Sequence, residues 1–135
     1  MDVERLSDLG NDEQEVGMPV QVLRFTAGVA ERIGQRPYEV NFASSIELAR
    51  GEGDAHAYVI YFEPGGIIGP HEAGFGQILF AVAGSGWVAG EDGQRIALAE
   101  GEAAFFSRGE VHSKGSESGM TAFMIQVRDL VPLVL

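Results

Sequence analysis

From Val20 onward, short runs of β-branched and aromatic residues alternate with glycine, proline or acidic turns. No segment keeps apolar residues at helical spacing over several turns, whereas period-two runs of this kind are typical of strands. Strands are predicted over residues 20–26, 38–42, 46–49, 56–62, 77–83, 86–89, 94–99, 103–106 and 121–127. Many short strands separated by such turns indicate an all-β sandwich or barrel.

The clearest turn lies at Gly90-Glu91-Asp92-Gly93, because Asp-Gly readily adopts the positive φ angles of a tight hairpin. Gly65-Gly66 and Gly84-Ser85-Gly86 are interpreted as further turns. In the strand over 77–83, alternation places Gln77 on one face and Phe80 on the other, and both faces are largely apolar. One face is therefore expected to meet a cavity, and the other a second sheet or a second subunit.

Residues 84–89 also fit the dinucleotide pattern G-x-G-x-x-G/A. That pattern binds a pyrophosphate only where a strand leads into a helix whose N-terminus faces the phosphates. Here a hairpin follows, so a nucleotide site is not predicted.

The composition is that of one domain. The 135 residues are enough for one hydrophobic core. No apolar run is long enough to cross a bilayer, and no basic start with an apolar core opens the chain, so a cytoplasmic location is predicted. The absence of cysteine excludes disulfides, thiolate catalysis and zinc–thiolate sites. Any metal would need nitrogen and oxygen ligands.

The net charge of −11 argues against nucleic acid and anionic membranes as partners, since both attract lysine and arginine. Much of the charge lies in residues 1–16, where six acidic side chains accompany Arg5 alone. Residues 1–17 are therefore predicted to be a mobile, solvated arm, with a partner-binding segment as the alternative, and residues 18–135 to be the folded domain.

Two glycine-framed histidine segments carry the candidate chemistry. The first segment is Gly65-x5-His71-x-Ala73-x3-Gln77-x6-Gly84. The second segment is Gly101-x5-Ser107-x-Gly109-x2-His112-x3-Ser116. Together they resemble the two signature motifs of the cupin superfamily, although Ala73 and Gln77 stand where the family usually has histidine and glutamate. The resemblance implies a single cupin barrel, a double-stranded β-helix or jelly roll, with His71 and His112 facing one interior cavity.

A typical metallocupin holds a divalent ion with three imidazoles and one carboxylate. By that resemblance His71, Gln77 and His112 are candidate metal ligands, with His56 as a further candidate, for zinc, nickel, iron or manganese. A metal-free alternative is equally open. In that case Ala73 and Gln77 line an organic ligand pocket together with Phe75 and Tyr58, and His71 or His112 is the catalytic base.

The resulting prediction is a cupin that binds a small molecule, with a weakly held metal and oxygenase- or isomerase-type activity. The alternatives are a non-enzymatic ligand sensor and a dimerising scaffold without metal. The apolar end of the chain, residues 130–135, either finishes the core as a last strand or packs across a twofold homodimer, which is the favoured interpretation.

Overall fold

The computed structural model describes residues 20–34, 36–42 and 44–133. The predicted acidic arm, residues 1–17, lies outside the described residues. The described part of the chain forms a single 3-10 turn at Ala27–Val29 and these strands: β1 (Gln21–Arg24), β2 (Glu31–Arg32), β3 (Ser44–Ser45), β4 (Ala49–Phe62), β5 (Gly66–Glu72), β6 (Gly76–Gly84), β7 (Gly86–Ala89), β8 (Arg95–Leu98), β9 (Glu102–Phe106), β10 (Val111–Ser116) and β11 (Met120–Pro132).

The long strands form two antiparallel sheets. The first sheet has the order β1-β9-β6-β11-β4, and the second has the order β5-β10-β7-β8. From β4 to β7 the chain changes sheet at every strand, and from β9 to β11 it does so again. This connectivity wraps the two sheets around one interior and gives the all-β cupin barrel that the motifs predict.

The barrel interior is a continuous apolar core at one end. Leu79 on β6 and Phe106 on β9 pack there against Val88 on β7 and Leu98 on β8, so the core joins both sheets. Exposure alternates along β4, where Tyr58 and Ile60 face this core and Val59 and Tyr61 face outward. The period of two predicted for this stretch is confirmed.

The outer face of the five-stranded sheet is also apolar. Ile78, Leu23 and Ala103 form a smaller buried cluster there, and Leu130 and Phe80 pack against its edge. Beside this cluster runs an open groove with an entirely apolar lining, in which Val59, Val82 and Phe123 are substantially exposed.

Several local predictions are confirmed. The hairpin turn is present, with the Gly93 amide donating to the Gly90 carbonyl at 3.1 Å and β7 paired with β8. Gly84 has a φ of 79°, and the chain passes through it from β6 into β7 rather than into a helix. The strand-to-helix turn that the dinucleotide pattern requires is therefore not formed at these residues.

Two predicted strands are wrong. Residues 38–42 form no strand, and Tyr38 and Phe42 are among the most exposed aromatic side chains described. Over 46–49, only Ala49 is in a strand, as the first residue of β4. Tyr38 and Phe42 bury little of their surface, and local β propensity without such packing does not form a strand. Conversely, β5 and β10 form without an apolar run.

The described end of the chain completes strand β11. Leu130, Val131 and Pro132 pair with Gly51, Arg50 and Ala49 on β4. This matches the reading of the segment as a last strand, while its predicted role in a homodimer stays a prediction. None of the described residues belongs to a helix that is long and apolar enough to span a membrane. The predicted cytoplasmic location also stays a prediction.

Candidate functional site

A row of four side chains crosses the inner face of the five-stranded sheet near one end of the barrel. The register pairs His56 on β4 with Gln126 on β11, Gln126 with Gln77 on β6, and Gln77 with Phe106 on β9. Directly paired residues in antiparallel strands point to the same face, so these four side chains share the interior. Gln77 and Gln126 are fully buried. The interior therefore changes from apolar to polar at this end.

The two motif histidines meet at the same end. His71 on β5 and His112 on β10 are directly paired, and their ring centroids are 4.6 Å apart. The ring of His112 also contacts Phe106, again with a centroid distance of 4.6 Å, which links the pair to the row on the opposite sheet. His112 is fully buried, whereas His71 is half-buried. The structure thus brings together His71 and His112, as the resemblance implies.

Lys114 lies beside this pair. It is two residues after His112 on β10, it is 1% exposed, and its register partners are Ile68 and Val88. Its Nζ lies 3.4 Å from the Nδ1 of His112 and 5.2 Å from the centroid of the Phe106 ring. A buried amine is thus part of the site, held between an imidazole and an aromatic face.

The hydrogen bonds of the two rings assign their protons. The Nδ1 of His71 lies 2.8 Å from the Gly69 carbonyl, which only accepts, so Nδ1 carries the hydrogen and Nε2 of the neutral ring is an acceptor. A lysine ammonium only donates, so beside charged Lys114 the Nδ1 of His112 accepts and Nε2 carries the hydrogen. The pair therefore offers a ligand one acceptor and one donor.

The loop between β5 and β6 closes this end of the barrel. Ala73 is fully buried, and its backbone exchanges hydrogen bonds with the loop between β9 and β10: its amide donates to the Glu110 carbonyl, and its carbonyl accepts from the Gly109 amide. Phe75 is also fully buried, with its ring 5.5 Å from that of His56 and beneath the guanidinium of Arg128. Phe75 lies at the end of the barrel, where a pocket-closing residue is predicted.

The other predicted residues lie farther from the histidine pair. Tyr58 is one step deeper than His56 on β4, where its register partner is Met124, and it packs against the apolar core. His56 contacts Phe75. In the described ranges no three histidine, aspartate, glutamate or cysteine side chains are grouped closely enough to hold a metal ion. His56 therefore does not join His71 and His112 in such a group.

The comparison with known families covers this site except for His56. The model of the AraC-like ligand binding domain matches residues 58–129, which is more than half of the chain and includes both histidines, Gln77 and Lys114. This chain belongs to the AraC-like ligand-binding domain family. None of the curated proteins matches it.

Solved structures support the cupin fold of this AraC-like ligand-binding domain. An RmlC-like cupin from Shewanella frigidimarina is 22% identical with a TM-score of 0.51, over 55% of this chain and 66% of that one. A cupin-like protein from Thermotoga maritima is 19% identical with a TM-score of 0.53, over 73% and 89% of the two chains. A cupin 2 domain-containing protein from Halorhodospira halophila is 14% identical with a TM-score of 0.55, over 83% and 77%.

The donor set of this AraC-like ligand-binding domain does not suit a divalent metal. His71 and Gln77 offer two neutral donors, and the Nδ1 of His112 faces a lysine amine. A divalent ion bound to this imidazole would be repelled by a protonated lysine beside it. Carboxylates normally offset such charge, and none is buried among the described residues.

Sequence reasoning missed two members of the site in this domain, Lys114 and Gln126. Lys114 stands in the polar segment His112-Ser113-Lys114-Gly115-Ser116, whose composition is typical of a solvated turn. One available signal was its spacing, because residues two apart in a strand share a face and His112 was expected to point inward. Gln126 had the same kind of signal, since it alternates with the buried residues Met124 and Ala122.

Proposed function

We propose that this chain is a ligand-binding module that holds a small organic molecule at the polar end of the barrel, without a metal. The observation that supports this most is the pairing of His71 with His112 beside Lys114, because buried polar side chains gathered at one place in an apolar core are typical of a binding site. Polar groups in such a position fix the orientation of a ligand, while the apolar walls supply contact area.

Gln126 adds support from the facing sheet. It is fully buried, and its Oε1 has no hydrogen-bond partner among the described residues. A buried amide oxygen without a partner costs free energy of about 1–3 kcal/mol, which a hydrogen-bonding ligand recovers. The amide lies between His56 and Gln77 in the row that faces the histidine pair. Both sheets thus contribute polar groups to one region.

A library of small molecules, neutral and charged, tests this proposal through the melting temperature. A ligand that binds only the folded chain raises the melting temperature of wild-type protein, and His112→Ala is expected to lose most of that increase. Arg50→Ala is the matched control, because Arg50 is an exposed side chain paired with Glu47 far from the site residues in the fold. Compounds that raise the melting temperature of all three proteins equally would place binding elsewhere and contradict the proposal.

His71 supports a second candidate function, proton transfer on the bound molecule. Its Nδ1–H is held by the Gly69 carbonyl, which fixes the ring and makes Nε2 the nitrogen that can act as a base. Incubation of a bound compound in deuterium oxide tests this directly. Deuterium incorporation that disappears in His71→Gln supports an isomerase or epimerase type of activity, whereas no incorporation leaves a sensor or binding module.

We also carry forward the homodimer that the sequence predicts. The exposed apolar groove on the outer sheet face, with Val59, Val82 and Phe123, is of the kind that marks contact surfaces. Sedimentation of wild-type protein and Phe123→Glu tests this: a dimer that becomes a monomer supports contact through this face. A dimer unaffected by the substitution places the contact elsewhere, and a wild-type monomer contradicts the prediction.

A further inference from the structure

The chain has a single lysine, and that lysine is inside the barrel. Lys114 is the only lysine among the 135 residues, while the other cationic side chains are eight arginines. Lysine is among the residues least often buried, because removing an ammonium from water costs several kcal/mol. An exposed position would avoid this cost altogether. Its burial in the middle of β10, beside the histidine pair, therefore calls for a role in the interior.

The charge of the interior indicates what that role is. The buried polar residues of the described part of the chain are Gln77, His112, Ser113, Lys114, Ser116 and Gln126. None of them is acidic, and His112 and Lys114 are the two that become cationic on protonation, in a chain whose net charge is −11. We propose that the ligand of this site is a small carboxylate, with its negative charge held by Lys114 and His112. This inference rests on the proposed function and specifies its ligand class.

The geometry suits two carboxylate oxygens. With the Lys114 ammonium donating to the Nδ1 of His112, the Nε2–H of the same imidazole is a second donor a few ångströms away. Charge-assisted hydrogen bonds from an ammonium and an imidazole to a carboxylate are stronger than neutral ones. Gln77 and Gln126 present side-chain amides from the facing sheet, and the N–H groups of these amides can donate to a carboxylate. A carboxylate thus finds donors on β10 and adaptable partners across the barrel.

Two arginines at the same end are held in ion pairs with more exposed acids. Arg108, in the loop before β10, has its side chain 11% exposed and lies 3.5 Å from Asp129, whose side chain is 58% exposed. Arg128 has its guanidinium over the Phe75 ring and 3.5 Å from the exposed Asp54. In both pairs the cation lies deeper than the acid.

Pairs of compounds that have nearly the same shape but differ in charge separate the effect of the ligand's charge from that of its shape. Calorimetric titrations would measure the affinity of acetate, acetamide, benzoate and benzamide separately. Each compound is titrated into wild-type protein, Lys114→Met and Arg50→Met, and each carboxylate is compared with its own amide. Wild type is expected to bind one carboxylate at least about tenfold more tightly than its amide, as for the loss of one charge-assisted hydrogen bond. Lys114→Met should reduce that ratio to near unity. Arg50→Met, which removes an exposed cation, should preserve it.

The outcomes separate this inference from the proposed function. The inference is overturned, and the proposed function stands, if library compounds bind through His112 without any preference for carboxylates. The same holds if a preference for carboxylates survives in Lys114→Met. Tighter binding of inorganic phosphate than of any carboxylate overturns the ligand class. Lack of binding by the whole library overturns both. Circular dichroism establishes that Lys114→Met is folded, and Lys114→Gln replaces it if it is not.

Discussion

The Nζ of Lys114 lies 3.4 Å from the Nδ1 of His112 in the closed interior of the barrel. This contact changes the chemistry expected of His112, because an imidazole that accepts from an ammonium presents its other nitrogen as a donor. The histidine is then suited to bind an acceptor on a ligand rather than a metal ion. A site that resembles a cupin metal centre in sequence thus has the polarity of an anion-binding site.

Metal content is expected to be far below one ion per chain in protein purified without a tag. A chelator should leave the melting temperature unchanged, since an ion that does not bind the folded state does not stabilise it. Elemental analysis combined with thermal denaturation checks this. Near-stoichiometric zinc, nickel, iron or manganese, with a melting temperature that falls on chelation and in His71→Ala, would establish the metal-binding alternative.

Phe75→Ala should destabilise the fold and open the polar end of the barrel. The ring is fully buried between His56 and Arg128, and its removal is expected to cost about 3–5 kcal/mol in the free energy of unfolding. Phe42→Ala is the control, because that ring is 96% exposed and should change stability by less than about 0.5 kcal/mol. Urea denaturation measures both.

The single lysine provides a second readout of Phe75→Ala. An amine-directed reagent modifies only Lys114 and the amino group of the first residue, so the latter is an internal standard. We expect the variant to speed modification of Lys114 several-fold and to leave the internal standard unchanged. Equal rates for Lys114 in both proteins would mean that Phe75 does not cover this end.

Gly115→Ala should destabilise the four-stranded sheet. A Cβ at Gly115 would lie 2.7 Å from Cζ2 of Trp87 and 2.6 Å from the Gly66 carbonyl oxygen, neither of which moves away easily. Overpacking of this kind costs about 1–3 kcal/mol in the free energy of unfolding. Gly69→Ala, on the neighbouring strand β5, has no atom within 4 Å of the added Cβ and is the matched control. Similar denaturation midpoints for the two variants would contradict the packing described.

Glu110→Gln should stabilise the protein at neutral pH. Burial raises the pKa of Glu110 above its ordinary value, the Ser107 amide that donates to its carboxylate opposes this, and the nearby Glu91 charge adds to the rise. The folded chain thus holds this proton to higher pH than the unfolded chain, so stability falls as pH rises from about 4.5 through the raised pKa.

The stabilisation by Glu110→Gln should therefore shrink as pH falls toward about 4.5, where the wild-type carboxyl becomes protonated in both states. Melting curves of wild type and variant across this range check the prediction. Glu63→Gln, which removes an exposed carboxylate, controls for the loss of one negative charge from an acidic chain. An increase in melting temperature that is independent of pH would contradict the raised pKa of Glu110.

Strands that bury apolar side chains on both of their faces were predictable from the sequence. Ile78 and Leu79 are buried on opposite faces of β6, so an apolar run marks that strand clearly. Strands β5 and β10 lack such a run because their inward positions carry His71, His112 and Lys114, which serve the site rather than the core. Only the cupin resemblance indicated that the two histidines meet.

The role of Lys114 was not predictable from local sequence. A lysine in a stretch of serine and glycine is solvated in most proteins, and its burial follows from the pairing of β10 between β5 and β7. That pairing joins residues far apart in the chain, such as Lys114 with Val88. The error at residues 38–42 has the same origin, since strand formation there also depends on packing with distant residues rather than on local propensity.

The central claim is that a small molecule binds between the histidine pair and the facing amides. Protein labelled with [15N]lysine gives one backbone amide signal, that of Lys114, and thus reports on this region alone. Compounds that raise the melting temperature should move this signal in wild type. The same compounds should not stabilise His112→Ala. Compounds that bind tightly yet leave the Lys114 signal unchanged would show that the ligand lies outside the barrel and would contradict the account.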